Sequence, residues 1–398
     1  MNVLYVHDRF GPLAGAEAHL HLTASELARR GHQLALLHGP PTGRDPHAWS
    51  IPFPHRFALG STDNSPLTRR ALQEFQPDLV FVHKMGDLSV IQPLVDSGLP
   101  LVHMVHDHDL YCLRSYKYNV FTRRICTRAA SAWCVFPCLA PLARNRQGPL
   151  PFKWASYSAK RREITLKQRF HRMIVVTPFM RDELTRNGFD PKRIEIHPPV
   201  PRHSDPGIHS SFSDRNLILF AGQVIRGKGV DILLQSLTHV RNRFECAILG
   251  DGNHRPHCER LTRKLGLADR VRFHGFIPHD QLKAHYQECS VVAIPSVWPE
   301  PIATIGLEVM RYALPIVAFD AGGIRDWLQD GYNGYLVPWM DRATFAARLD
   351  QLLADKSLAR QLGRNGLARV TERFDFERHI LDLENLFHRV CSECRTAA

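Results

Sequence analysis

Three stretches of this chain bring chemistry-bearing side chains together. The first is FAGQVIRGKGVDILL, from Phe220, where an apolar run ends at Ala221 and three glycines (Gly222, Gly227, Gly229) surround Arg226 and Lys228. Bare backbone amides, two cations and a helix start make a site for a diphosphate. A solvated turn with two incidental cations is the alternative. The second is SVWPEPIATIGLEVM, from Ser296, with Glu300 in a loop and Glu308 further along on a helix. Ionised carboxylates accept hydrogen bonds from vicinal hydroxyls, which suits a sugar or a ribose. Equally, Glu300 could be a first-turn acid favoured by the helix dipole and Glu308 a solvated helix position. The third runs from His106 to Cys138, where Cys112, Cys126, Cys134 and Cys138 are separated by 13, 7 and 3 residues. Four thiols in one basic loop could hold zinc or an iron–sulfur cluster as a structural staple, or could be small buried thiols.

The elements that must position these residues alternate between strand and helix. Val3–His7, Leu34–His38, Leu79–His83, Leu101–Val105 and Met173–Thr177 are short runs, nearly all apolar, and Ala16–Arg30 carries Leu20, Ala24, Leu27 and Ala28 at helical spacing. Such strands suit a parallel sheet covered on both faces. Residues 1–200 therefore form one doubly wound α/β domain, with a basic, Cys-containing insertion at about 107–172. Residues 201–215 are rich in Pro, Ser and His and form a linker. The alternation restarts over 216–375, with strands at Leu217–Ala221, Phe244–Gly250, Val271–His274, Val291–Pro295 and Ile316–Phe319. Residues 376–398 form a last helix that packs back on the N-terminal domain. Open α/β sheets bind ligands beyond the carboxyl ends of their strands, where the two motif loops fall.

At 398 residues the chain is too long for one core. Hydrophobic residues at 44% and charged residues at 23% exclude a disordered or fibrous chain. Its longest apolar runs fall short of a membrane span, and Met1–Asp8 is no signal peptide, which places the chain in the cytosol. Nine cysteines in a reducing compartment argue against a disulfide scaffold. The net charge of +12 is local: Tyr111–Arg172 holds fourteen Lys/Arg against a single acid, Glu163. That implies an anionic partner at this face: membrane phosphates, a phosphorylated substrate or nucleic acid. Pro151–Phe170, with Phe152, Trp154, Tyr157, Ile164, Leu166 and Phe170 among cations, fits a helix lying in a membrane interface. An amphipathic helix packed on the first sheet is the alternative.

In combination the motifs are specific. The basic glycine-rich loop, the Glu-Pro with its second Glu, and LPIVAFDAGGIRDWLQDGYNGYLVP downstream resemble the retaining family 4 glycosyltransferases. That resemblance implies a GT-B fold: two doubly wound Rossmann-like domains facing across a cleft. It implies that Arg226 and Lys228 hold the donor diphosphate, with Gly222 in the same loop. Glu308 takes the ribose hydroxyls and Glu300 those of the donor sugar. The backbone of Ile302, Ala303 and Thr304 meets phosphate or sugar, and Ile277 lines the base. Gly15 and Ala16 fall where the family has a Gly-Gly loop near the donor, and His106 at the His-Asp position facing the transferred sugar. Ala16, Ala303 and Ala313 stand where the family usually has glycine, and a methyl group there narrows backbone approach.

The expected activity is retaining transfer from a nucleoside-diphosphate sugar to a glycan, lipid-linked or phosphorylated acceptor. It needs no catalytic cofactor and serves cell-surface polysaccharide or glycolipid assembly, peripherally at the inner membrane face. A sugar-nucleotide epimerase of the same fold is the alternative enzyme. A nucleic-acid-binding protein would rest on the basic segment alone, with no recognition module, so no nucleic acid is expected. No Gly-x-Gly-x-x-Gly follows the first strand of either domain, which disfavours a dinucleotide oxidoreductase.

Overall fold

The structure, a computed structural model, describes residues 1–13, 15–119, 121–144, 152–200, 210–212, 215–278 and 281–397. The chain divides into two compact units, one of Met1–Lys117, Cys126–Pro199 and Phe376–Ala398, the other of Tyr118–Ile125 and Val200–Asp375.

In chain order the first unit begins β1 (Asn2–His7), α1 (Gly15–Arg29), β2 (Gln33–His38), α2 (Pro46–Ser50), β3 (His55–Ala58), α3 (Ser65–Phe75), β4 (Leu79–Val82), α4 (Leu88–Asp96) and β5 (Leu101–Val105). An antiparallel ribbon follows, β6 (Leu142–Arg144) and β7 (Phe152–Trp154), then α5 (Tyr157–Lys167), β8 (Arg172–Val175), α6 (Pro178–Arg186) and β9 (Ile194–Ile196). Among the described residues the main sheet has the order β3-β2-β1-β4-β5-β8-β9, parallel throughout. Val3–Val6 and Leu79–Val82 are fully buried, as strands covered on both faces must be. Two edge strands, β3 and β9, are short, and β3 is largely exposed, so apolar runs did not announce them.

The second unit runs β10 (Leu217–Ala221), α7 (Val230–Leu237), β11 (Glu245–Leu249), α8 (Arg255–Lys264), β12 (Val271–Gly275), α9 (Leu282–Glu288), β13 (Cys289–Ile294), α10 (Thr304–Met310), β14 (Ile316–Phe319), β15 (Gly334–Val337), α11 (Arg342–Ala354) and α12 (Lys356–Arg373). Its parallel sheet has the order β12-β11-β10-β13-β14-β15 among the described residues. Phe220, Leu233, Phe244, Ile248, Phe345 and Leu349 pack one core between sheet and helices. In both sheets the strand order reverses beside the first strand, at β1/β4 and at β10/β13. A crevice for ligands opens at that reversal in such folds.

The last helix, α13 (Phe376–Ala397), belongs to the first unit. Arg30 reaches Glu377 at 2.6 Å and Glu384 at 2.9 Å, and Phe387 meets Phe81 edge-on at 5.0 Å. Most of the 201–215 stretch lies outside the described residues. Ser210 within it bonds through its amide to the Tyr312 carbonyl at 3.2 Å, and Phe212 is buried.

One piece of the expected N-terminal insertion is found elsewhere. Tyr118–Ile125 is part of the second unit, because Arg123 is buried there against Asp231 of α7, at 3.2 and 2.6 Å. No local pattern in a run of cations reveals such a pairing.

Candidate active site

In the second unit the loop after β10 and the loop after β13 flank the strand-order reversal. Arg226–Lys228 make one 3₁₀ turn, closed by Gly229 at φ +71°. A Cβ at Gly229 would sit 1.9 Å from the Pro295 carbonyl oxygen, so only glycine lets the basic loop approach the end of β13. Lys228 then reaches Glu300 with Nζ 2.7 and 3.0 Å from the two carboxylate oxygens, and lies 5.3 Å from the Trp298 ring centroid. Glu300 is buried and also accepts from the Ser296 hydroxyl. Its backbone is fixed on both sides: its amide bonds to Ala321 at 3.1 Å and its carbonyl accepts from Gly323 at 2.7 Å. Gly322 packs against that backbone, and a Cβ there would meet the Glu300 oxygen at 2.5 Å. The Gly322-Gly323 pair thus holds Glu300 in place.

Glu308, half-buried on α10, accepts from Tyr286 Oη at 3.0 Å. Burial and the Glu308 charge push the Tyr286 phenol far up, so it stays a donor. The Ile302 carbonyl accepts from the buried indole of Trp327, which braces the entry to α10. Ala303 and Ala313 both adopt left-handed backbone, φ 58° and 53°, at two of the three positions where the resemblance expects glycine, whereas Ala16 is helical in α1. Ile277 is half-buried just beyond β12, and Gly222 lies exposed just beyond β10.

In the first unit, the strand ends carry imidazoles. His7 Nε2 lies 3.4 Å from Glu17 Oε1, and His83 Nδ1 is 2.8 Å from His106 Nε2 with the rings stacked. Burial, then the charges of His7 and Lys84, pull the His106 imidazole down to about 3, and burial pulls His83 well below its usual range. Both are neutral at physiological pH, so one donates to the other. Glu17 is pulled down to about 2: burial raises it, but His7, its own backbone amide and Lys84 together lower it further. Lys84 binds Asp107 at 2.7 Å and Asp109 at 3.1 Å. A cavity of about 250 Å³ opens here, lined by His83, Lys84, His103, His106, Asp107 and Asp109 among others. His83 Nε2, His103 Nδ1 and Asp109 Oδ1 are buried there without a hydrogen-bond partner. Gly15 and Ala16 open α1.

The four cysteines are all free and partly exposed. Cys138 is raised by burial and also feels Cys134 and Cys126, but its neighbouring charge is the Arg114 guanidinium. Cys112 instead turns toward the backbone amides of Arg114, Tyr116 and Lys117. Among the described residues, the group with donor atoms all within 4.8 Å is Asp231, His254 and His257, so the four sulfurs are not gathered in one coordination sphere. In that group Arg123 already neutralises Asp231, which His254 and Arg123 hold down at about 2 against its burial.

The helix expected at a membrane interface is otherwise placed. Ile164 and Leu166 of α5, and Phe170 after it, are buried, while Trp154 before it is 72% exposed. Among the described residues no helix is long and apolar enough to cross a membrane.

The sequence singled out Lys228, Glu300, Glu308 and His106. It did not single out Ser296, Tyr286, Trp327 and His83, which the structure bonds to Glu300, Glu308, Ile302 and His106, partners 4, 22, 25 and 23 residues away. For His83 a signal was available, a histidine closing an apolar strand.

Residues 202–369 match the model of glycosyl transferases group 1, and residues 13–200 that of glycosyltransferase family 4. A D-inositol 3-phosphate glycosyltransferase of Streptomyces bingchenggensis is 30% identical over 230 residues, 52% of this chain and 50% of that one. The chain spans about half the length of the curated relatives it matches. Among solved structures, Anabaena HepE in complex with UDP aligns over 98% of this chain and 100% of its own, with 18% identity and a TM-score of 0.72. Sucrose-phosphate synthase from Thermosynechococcus elongatus aligns over 98% and 99%, with 17% identity and a TM-score of 0.73. These two likenesses show the GT-B fold, and with the two domain matches covering both halves, the chain belongs to the family 4, group 1 glycosyltransferases.

Proposed function

We propose that the chain transfers a sugar from a nucleoside-diphosphate donor to a hydroxyl of a glycan or lipid-linked acceptor, with retention of anomeric configuration. It works beside a membrane in cell-surface polysaccharide or glycolipid assembly. The observation that carries this reading is the Lys228–Glu300 pair, set between two loops at the strand-order reversal of the second sheet. The cation and the carboxylate answer the two halves of such a donor, diphosphate and sugar hydroxyls.

As the bond from anomeric carbon to phosphate oxygen breaks, negative charge grows on the diphosphate. Arg226 and Lys228 are preorganised to meet it, which supplies without a metal what a cationic clamp supplies elsewhere. Glu308, held by Tyr286, takes ribose hydroxyls, and Glu300 takes those of the sugar. The acceptor oxygen attacks the oxocarbenium-like carbon from the face the phosphate leaves, and the departing phosphate oxygen takes the acceptor proton. Retention follows. His106 has one ring nitrogen engaged by His83 and offers the other to the transferred sugar, orienting it rather than attacking it.

Thermal shifts with UDP, GDP and ADP, run on the parent and Lys228→Ala, test the site, since a ligand bound only by folded protein raises its stability. HepE was solved with UDP and with UDP-glucose, which makes uridine the first base to try. A shift with one nucleotide that vanishes in the variant supports the reading. No shift with any nucleotide sinks it. The anomer of the product, read by NMR, decides retention.

A further inference from the structure

Among the described residues thirteen large hydrophobic side chains are exposed, and six of them fall between 133 and 154: Trp133, Val135, Phe136, Leu139, Leu142 and Trp154. Phe136 is 76% and Trp154 72% exposed. Scattered exposed apolar residues are ordinary, whereas a cluster marks an interaction surface.

Local structure presents this cluster on purpose-built backbone. A 3₁₀ turn at Ala132–Cys134 is extended by bonds from Phe136 to Ala132 at 3.2 Å and from Cys138 to Trp133 at 3.2 Å. The turn joins the β6–β7 ribbon through Leu142 to Leu139, also at 3.2 Å. In the ribbon Leu142 sits directly opposite Trp154, so these two side chains share one face. Arg114 ties the turn down, bonding the Cys138 and Leu139 carbonyls at 3.2 and 2.7 Å.

The surroundings are cationic. Within the first unit, residues 126–162 contain seven Lys/Arg and no Asp or Glu, and of the seven Lys160 pairs with Glu163 at 2.6 Å. Arg128 lies over the Trp133 ring at 4.0 Å, and Arg161 and Arg162 are exposed on α5. We propose that Trp133–Leu142 and Trp154 form a membrane-docking surface that seats its apolar side chains in the acyl boundary of an anionic bilayer while the surrounding Lys and Arg meet lipid phosphates. Tryptophan favours that depth, and aliphatic and cationic groups act there together. A second copy of the chain would bring the exposed Arg128, Arg161 and Arg162 against their own counterparts. Single-stranded nucleic acid would use the aromatic rings but has no use for Val135, Leu139 and Leu142. The proposal deepens the membrane-side reading of the function and moves it from α5 to the turn and ribbon ahead of that helix.

The test is vesicle binding by the full chain with no sugar donor present. Co-sedimentation should occur with vesicles containing phosphatidylglycerol, weaken as salt rises, and be slight with phosphatidylcholine alone. Lipids brominated on their acyl chains should quench tryptophan fluorescence of the parent, and Trp133→Phe/Trp154→Phe should remove that quenching. Phe136→Ser should weaken partitioning about tenfold, the effect expected for one large side chain withdrawn from an apolar phase. The proposal is overturned by an absence of vesicle binding, by binding without quenching, or by Phe136→Ser/Trp154→Ser binding as tightly as the parent. Preference for a single-stranded oligonucleotide, or a dimer dispersed by the same substitutions, overturns it too. The quenching measurement needs no folded variant, and the nucleotide thermal shift on the same sample reports the transferase reading separately.

Discussion

At the ends of β1, β4 and β5 the first unit buries His7 and His83 with the half-buried His106 beside them, whereas after β10 and β13 the second unit sets Lys228 against a buried Glu300. Both clusters sit beyond a parallel sheet of one topology, yet one stacks the neutral His83 and His106 rings and the other is an ion pair. The difference follows from what each can recognise. Neutral imidazoles exchange hydrogen bonds with hydroxyls and lose nothing when no charge arrives. A lysine and a carboxylate hold each other in geometry and can be re-partnered by a diphosphate and a sugar. Under the proposed function the same strand-order reversal serves two ligand chemistries, and the side chains at its rim decide which.

This contrast can be broken experimentally. The largest effect is expected from Lys228→Ala, which should slow transfer roughly a hundred- to a thousandfold, the scale for losing one preorganised donor, and abolish the nucleotide-induced thermal shift. An unchanged rate would remove the ion pair from the donor site.

Next comes acid sensitivity, which should belong to the first unit. His19, His83 and His103 are held well below their usual range by burial, His106 at about 3 and His197 at about 4. The unfolded chain takes up protons on these rings below about pH 6.5 while the folded chain refuses them. Their contribution is therefore complete above that pH and is lost progressively as pH falls toward the folded values. Melting followed at several pH values should show stability dropping below pH 6.5, with amide exchange accelerating first in β4 and β5. A melting temperature unmoved down to pH 5 would mean the rings are charged or solvated.

His106→Ala should lower transfer about tenfold, the loss of an ordinary hydrogen bond, and leave the nucleotide shift intact. Loss of the shift in this variant would erase the division of labour between the units. The smallest effect is expected from Ala303→Gly. Left-handed backbone costs a residue with a Cβ about 1 kcal/mol, and glycine's own flexibility offsets part of the gain. A denaturant midpoint that rises slightly, with unchanged donor binding, is the expected result; a falling midpoint would mean the methyl group packs more than it strains.

Much of this was written in local sequence because the loops after β10 and β13 depend on local features. Glycine at 229, cations at 226 and 228, and two carboxylates on one loop–helix segment are all visible at short range. Ala303 and Ala313 were visible as departures from glycine, and their left-handed backbone gives the departure its physical meaning. What stayed hidden depends on distance. Tyr286 holding Glu308, Trp327 holding Ile302 and His83 holding His106 are pairings of different strands or helices. Exposure was hidden as well: apolar residues over 151–170 fit a membrane helix and a buried one alike, and only packing separates Ile164 from Trp154. The cysteines are a related case, since spacing cannot say that Arg114 stands beside Cys138 while Cys112 turns away.

The segment Tyr118–Ile125 carries a consequence for anyone who would cut this protein in two. A fragment beginning near residue 200 would look complete by its sheet and helices, yet Asp231 would be left in its interior without Arg123. A buried ion that loses its counter-ion costs about 3–5 kcal/mol. The C-terminal half is thus not a cassette to be moved between scaffolds. Its last structural piece is encoded more than ninety residues upstream of its first strand, and a chimera must carry that turn or replace Asp231 with a neutral residue.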